Sequence, residues 1–285
     1  MDTLKNNHKN LKITTKDFLV TGESFDLLID SKRDMLITSP QPRAEDLAKY
    51  YESESYISHT DSKAGFMASL YQNVKKYSLA LKLRLILTLN GKPGLLLDIG
   101  AGTGDFLKLA KDNGWKVKGV EPNDGASNLA KQKNLEIDES IEKLSGQTFD
   151  VVTLWHVLEH LPDLEIITQK IEALVKPGGT LIVAVPNFKS YDAKYYKNYW
   201  AAYDTPRHLW HFSKAAMGNI FSSSLTLVKT KPMIFDSFYV SLLSEKYKSG
   251  KSFSIKALLI GLWSNISGLN SKEYSSHIYC YKKNT

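Results

Sequence analysis

The sequence predicts an α/β protein built on a doubly wound, mostly parallel seven-stranded sheet, with a helical extension ahead of it and a helical insert near its end. Three observations predict it. Between residues 94 and 187 short continuous apolar runs alternate with amphipathic segments, the pattern of buried parallel strands joined by crossover helices. One of those runs, LLLDI, opens directly into a glycine-rich turn. Past Asn187 two more apolar runs bring the strands from five to seven.

Ahead of the sheet, residues 1–60 mix short apolar runs with turn signals such as Ser39-Pro40-Gln41-Pro42, and Pro42 to Tyr51 reads as a short helix. From Gly65 to Asn90 apolar residues recur at helical spacing (Phe66, Leu70, Val74, Tyr77, Leu81, Leu85), until Asn90-Gly91-Lys92-Pro93 stops them. The expected strands are Leu95–Ile99, Lys116–Val120, Leu135–Ile137, Val151–Trp155 and Thr180–Val185. The helices between them are Phe106–Asn113, Gly125–Lys133 and Leu164–Val175. Leu225–Phe235 and Tyr274–Tyr281 are the closing strands, and Phe238–Tyr247 and Phe253–Trp263 are the helices of the insert. An open sheet of this kind takes its ligands at the carboxyl ends of its strands.

Composition narrows the function. A chain of 285 residues, 42% hydrophobic, is one large domain or one domain with additions at ~150 residues per domain. Its single cysteine, Cys280, excludes a disulfide scaffold and a Cys-rich zinc site. MDTLKNNHKN lacks the apolar middle of a secretory signal, and the apolar run Ala257 to Trp263 falls far short of the ~20 residues that span a bilayer. The expectation is a cytoplasmic protein with no transmembrane segment. Net charge is +3 over residues 1–93, −5 over 94–187 and +9 over 188–285, which points to an anionic substrate, carrier or surface near the last third.

The turn after the first core strand is DIGAGTG, residues 98–104. Gly100, Gly102 and Gly104 let main-chain N–H groups approach a ligand closely. A dinucleotide turn has GxGxxG, whereas this one is GxGxG followed by Asp105, and Asp98 and Asp105 would repel a pyrophosphate. The next strand ends in Glu121-Pro122, an acid placed to accept both ribose hydroxyls. A nucleoside with a cationic tail and no pyrophosphate satisfies both, and S-adenosylmethionine fits that description.

Four ordered blocks, DIGAGTG (98–104), VEPN (120–123), FDVVTLWHVLEHLPD (149–163) and VKPGGTLIVAVPN (175–187), resemble the class I S-adenosylmethionine-dependent methyltransferases. The chain is most similar to the small-molecule branch that includes ubiquinone-type O-methyltransferases. The resemblance implies a Rossmann-like methyltransferase fold in one catalytic domain: an extension and helix over 1–93, a cofactor core over 94–187, and a substrate-binding segment with closing strands and insert over 188–285. It further implies that Asp98, Gly100, Gly102 and Gly104 line the methionine end and that Glu121 meets the ribose. Pro122 and Ile141 would then face adenine, with Glu139 or Ser140 near its amino group, and Trp155 and His156 would border the methyl group. YYKNYWAAYDTPRHLWHFS (195–213) resembles the block where relatives contact substrate, and residues 188–212 hold nine aromatics. Tyr199, Trp200, Asp204 and Arg207 are the candidate substrate contacts, and His208, then His156 and His211, the candidate bases.

Rival readings are weaker. His156 to His160 also spells HxxEH, but the first histidine follows a strand, so zinc hydrolysis is set aside, as is a divalent ion on Glu159 and His160. Relatives often carry a Cys-x-x-Cys pair ahead of SPQPRAEDLAKYY, where this chain has Asp30 and Arg33, so no zinc ribbon is expected. Neither an Asn/Asp-Pro-Pro-Tyr/Phe block nor a Pro-Cys nucleophile is present, which disfavours nucleic acid as substrate. The +9 charge of the last third keeps an RNA methyltransferase as one alternative, and a cofactor-binding but inactive interaction protein is the other. The expected acceptor is a small or carrier-linked molecule, methylated on oxygen or nitrogen. The helical stripe Ile255, Leu258, Leu259, Leu262 and Trp263 needs a cover: the parent domain, a second copy in a homodimer rather than a monomer, or a peripheral membrane contact.

Overall fold

A computed structural model describes residues 11–43, 46, 48–51, 66–251 and 253–285. Seven strands form the main sheet: β4 (Leu95–Ile99), β5 (Lys116–Val120), β6 (Ile137–Asp138), β7 (Phe149–Trp155), β8 (Val175–Pro186), β10 (Leu225–Pro232) and β11 (Ser276–Lys283). Their order is β10-β11-β8-β7-β4-β5-β6, parallel from β8 to β6, with β10 and β11 antiparallel at the other edge. This is the mixed seven-stranded α/β sheet expected. The strand order reverses at β4, which has β5 on one side and β7 on the other, so a crevice opens at the carboxyl ends of these three strands.

Alternation along the strands divides the core. Leu97, Val152, Leu154, Leu181 and Val183 pack on one face with α4 (Leu164–Leu174). Leu96, Val151, Ile182 and Cys280 pack on the other with α1 (Phe66–Asn90) and α2 (Asp105–Asp112). Both faces are covered by helices, which is why these strands read as continuous apolar runs rather than alternating ones. α3 (Asp124–Gln132) follows β5, and its N-cap Asn123 accepts from Ala126 N–H.

The N-terminal extension holds more than the expected helix. Ahead of α1, β1 (Leu11–Lys16), β2 (Ser24–Asp30) and β3 (Met35–Ser39) form an antiparallel sheet completed by β9 (Trp210–His211). Short, partly polar strands such as LKITTK carry too little alternation to stand out. The helix expected over Pro42 to Tyr51 shows a 3-10 turn over Ala48–Tyr50; residues 44, 45, 47 and 52–65 lie outside the described residues. Asp30 closes the β2–β3 turn by accepting from the N–H groups of Lys32 and Arg33.

A third cluster, with Leu27, Leu36, Tyr196, Trp200, Tyr203 and Val240, joins this second sheet to α5 (Tyr191–Tyr196), the 197–212 segment and α7 (Asp236–Ser249). The short α6 (Lys214–Gly218) precedes β10. α8 (Ile255–Ser271) is capped by Ser254 and runs eight residues past the expected end at Trp263. Ser264 and Gly268 look like breakers in sequence. Here they are contacts: Ser264 Oγ donates to the buried Asp192, and Gly268 lies so close to the Tyr274 ring that a Cβ would meet it at 2.7 Å.

Candidate active site

β4 delivers Asp98, 2% exposed, to the crevice, where its carboxylate accepts from Thr153 Oγ1 of β7 at 2.6 Å. Burial pushes its pKa up to about 7, against the pull of Thr153 and of Lys82. The chain then turns through Gly100, Gly102 and Gly104, all at positive φ, and the amides of Gly100 and Ala101 reach across to Val120 O. The three glycines do different jobs. A Cβ at Gly100 would overlap Val157, and one at Gly104 would meet Ala130, whereas one at Gly102 would find nothing within 4 Å. Gly102 is therefore the glycine that leaves the crevice open.

Glu121, at the end of β5, accepts from Gly102 N–H at 2.8 Å and from Asn123 N–H at 2.9 Å. The acid and the glycine turn are thus tied together, and a carboxylate with about four acceptor positions keeps two for a ligand. Pro122 is exposed beside it. Ile141 is partly buried against the core, Ser140 is half-buried at the head of a 3-10 turn, and Glu139 pairs with Lys143 at 2.6 Å on the surface. The repulsion expected from Asp105 is absent, because Lys75 and Lys133 both pair with it. The case against a pyrophosphate rests on Asp98 and Glu121 instead.

β7 ends in Trp155, whose ring meets Phe106 edge-on and whose indole Nε1–H is buried without a partner. Lys82 Nζ of α1 stands 4.3 Å from the centre of that ring, with its pKa lowered by burial although Asp98 and Asp236 pull the other way. Periodicity marked α1 as a packing helix only. The missed signal was a lysine one turn before Ile86, which is fully buried.

His156 follows Trp155 at φ 58°, a left-handed conformation that costs a side-chain-bearing residue ~1–2 kcal/mol. Its Nε2 lies 3.1 Å from Asp236, the first residue of α7, and its Nδ1 lies 3.4 Å from Glu159. Burial opposes the charge on the ring, but Asp236 and Glu159 outweigh it and raise the pKa to about 10. His156 is therefore an imidazolium at neutral pH, a hydrogen-bond donor rather than a proton acceptor. Asp236 was not anticipated, since it lies eighty residues away at a helix start.

The other two histidines sit deeper. His208 is buried, and its Nδ1 faces Ala202 O at 2.9 Å; a carbonyl only accepts, so Nδ1 carries a proton, while Nε2 lies 3.9 Å from Asp204. His211 is buried too. Thr38 spends its hydroxyl proton on His208 O, so His211 Nε2 donates to Thr38 Oγ1, and burial keeps the ring neutral. Trp200 donates to Asp192, and Tyr199 leans on Phe18. Arg207, 1% exposed, spends its guanidinium on Asp204, Asp17 and the Tyr50 carbonyl, tying the 197–212 segment to the second sheet.

His156 to His160 do not form the helix of a zinc peptidase, because residues Leu158–His160 make a 3-10 turn. Glu159, fully buried, has no hydrogen-bonded partner on either carboxylate oxygen among the described residues, and His156 meets it as an ion pair. Glu159, His160 and His208 each offer a ligand atom within 4.8 Å of the others. His160 Nδ1 faces Arg207 O, and burial lowers its pKa to about 4. Two imidazoles oriented by carbonyls and one carboxylate suit a divalent ion, an arrangement the sequence pattern had set aside. Cys280 lies buried in β11 with its thiol pushed up to about 11, unsuited to act as a nucleophile.

Comparison with known proteins accords with this geometry. The ubiquinone biosynthesis O-methyltransferase of Coxiella burnetii is 37% identical over 116 residues, 37% of this chain and 49% of that protein. The one from Colwellia psychrerythraea is 34% identical over 108 residues, 34% and 44% of the two chains. The matched part of this chain thus spans about half the length of these curated relatives. Among solved structures, a protein from Galdieria sulphuraria titled a sarcosine dimethylglycine methyltransferase superposes with a TM-score of 0.51 at 14% identity, over 74% of this chain and 85% of that one. Coclaurine N-methyltransferase, bound to N-methylheliamine and SAH, gives 0.50 at 16% identity over 72% of each. These two share the fold. A family model described as a methyltransferase domain matches residues 68–224, more than half of the sequence, and the chain belongs to that family.

Proposed function

We propose that the protein is an S-adenosylmethionine-dependent methyltransferase acting on an oxygen of a small or carrier-linked acceptor that reacts as an anion. The observation that carries it is the Gly102 to Glu121 link, which sets an open glycine turn beside a carboxylate with two acceptor positions to spare. The residues fit the cofactor. Asp98 has a buried carboxyl with no cation in hydrogen-bond contact, suited to an ammonium, and the Lys82 ammonium suits a carboxylate. Glu121 suits a ribose diol.

When bound, the cofactor supplies a methyl group already activated on a sulfonium. What is left to the chain is alignment, exclusion of water and stabilisation of the acceptor's charge. His156, held charged by Asp236 and Glu159, would set a positive charge beside an acceptor oxygen and favour its ionised form. Oxygen is preferred over nitrogen because the curated relatives are named O-methyltransferases. His208 stands behind Glu159 and would act through it as a positioning residue.

S-adenosylhomocysteine should raise the melting temperature and NADH should not, since a ligand of the native state stabilises it by mass action. Glu121→Ala, which removes two charge-assisted contacts, should weaken binding by ~10²-fold or more in calorimetry. His156→Gln should lower kcat for a phenolic acceptor by ~10–10²-fold while cofactor affinity holds. Binding of NADH without S-adenosylhomocysteine would refute the reading.

A further inference from the structure

α8 is amphipathic the wrong way round. Its buried face is made of Ala257, Gly261, Ser264 and Gly268, and Gly261 packs so closely that a Cβ would meet the Phe238 backbone at 2.9 Å. Its bulky residues face outward. Ile255, Leu259, Leu262, Trp263, Ile266 and Leu269 are each between 43% and 67% exposed, and at helical spacing they form one continuous stripe. Packing against the parent domain is thus taken by the small residues, and the cover expected for the stripe does not come from the described residues. Phe253, 52% exposed, extends the stripe at its start.

The charge around the stripe selects what covers it. Residues 246–272 contain five lysines, Lys246, Lys248, Lys251, Lys256 and Lys272, and no acidic residue. Glu245 and Glu273 bound this run; Glu245 offsets one lysine, Lys256, at 3.5 Å, and Glu273 accepts from Asn187. A second copy related by a two-fold axis would bring two such lysine-rich rims together. An acidic lipid surface instead meets the lysines with phosphates and the stripe with acyl chains. No helix among the described residues is long and apolar enough to cross a membrane, so the contact would lie on the surface.

We infer that the outer face of α8 docks the protein on acidic lipid bilayers. The inference stands apart from the methyl-transfer reading and needs no cofactor. The first residue of α7, the helix against which α8 packs, is Asp236, the partner of His156, so the docked face is one helix away from the crevice.

The test is sedimentation of the full chain with vesicles of phosphatidylcholine alone or mixed with phosphatidylglycerol, beside sedimentation velocity without lipid. The protein should pellet with the mixed vesicles at low salt, at least tenfold more than with phosphatidylcholine, and release as salt shortens the screening length from ~10 Å at 0.1 M to ~3 Å at 1 M. Brominated acyl chains should quench tryptophan emission, and Trp263→Phe should remove that quenching. The triple variant L259S/L262S/L269S alters only exposed side chains and should keep its melting temperature yet lose binding. Changing Lys246, Lys248, Lys251 and Lys272 to Gln should weaken it by roughly three orders of magnitude. Failure to bind the acidic vesicles, binding that the triple variant leaves intact, or a lipid-independent dimer that buries Trp263 would each overturn the inference.

Discussion

Asp98 carries the clearest electrostatic consequence at the scale of one residue. In an unfolded chain its carboxyl would titrate near ~3.9, whereas in the fold burial raises it to about 7. The native state therefore binds the proton more tightly. The stability this provides is fully present below about pH 4 and is lost as pH rises through about 7, so the unliganded protein should weaken from pH 5 to 8, and Asp98→Asn should flatten that decline. An ammonium brought beside Asp98 should reverse the shift. Binding of S-adenosylhomocysteine at pH 6 should then release close to one proton from Asp98, and close to none at pH 8, which calorimetry in buffers of different ionisation enthalpy reads directly. Equal release at both values would remove Asp98 as the partner of the amino group. Asp98 and Glu121 were legible in sequence because each ends a strand beside a recognisable turn. Lys82, Asp236 and the role of Arg207 were not, because each acts through a contact made across the fold, and no local spacing records it.

Among the elements, the glycine turn separates packing from binding. Gly100→Ala forces a methyl group into Val157 at φ 71° and should destabilise the fold by ~2–5 kcal/mol, whereas Gly102→Ala finds nothing within 4 Å and costs only the strain of φ 54°, ~1–2 kcal/mol. Affinity should show the opposite order, with Gly102→Ala losing the cofactor and Gly100→Ala keeping it in the folded fraction. Thermal denaturation beside calorimetry checks both, and equal losses of affinity would assign the turn a single role. The core strands and their crossover helices were readable because each is buried on both faces and bounded by turn residues. β9 was not, being two residues long, and neither was the true end of α8, where small residues that break isolated helices are retained for close packing.

For the molecule as a whole, Arg207 is the bolt that fixes the 197–212 segment to the second sheet. Arg207→Ala would leave Asp17 and Asp204 without their counter-charge, and breaking a buried pair costs ~3–5 kcal/mol. The melting temperature should fall by roughly 10 °C. A fall of under ~2 °C would show that the segment stays docked without it. The same joint sets the timetable of folding. Thr38 bonds to a carbonyl 170 residues further along the chain, and β3 finds its neighbour β9 at a similar separation. A ribosome adding ~5–20 residues per second needs about 10–30 s to make that stretch. Through that interval the β3 edge of the β1 to β3 hairpins lacks the partner that β9 later supplies, so this small sheet closes only after the segment that completes it has been made.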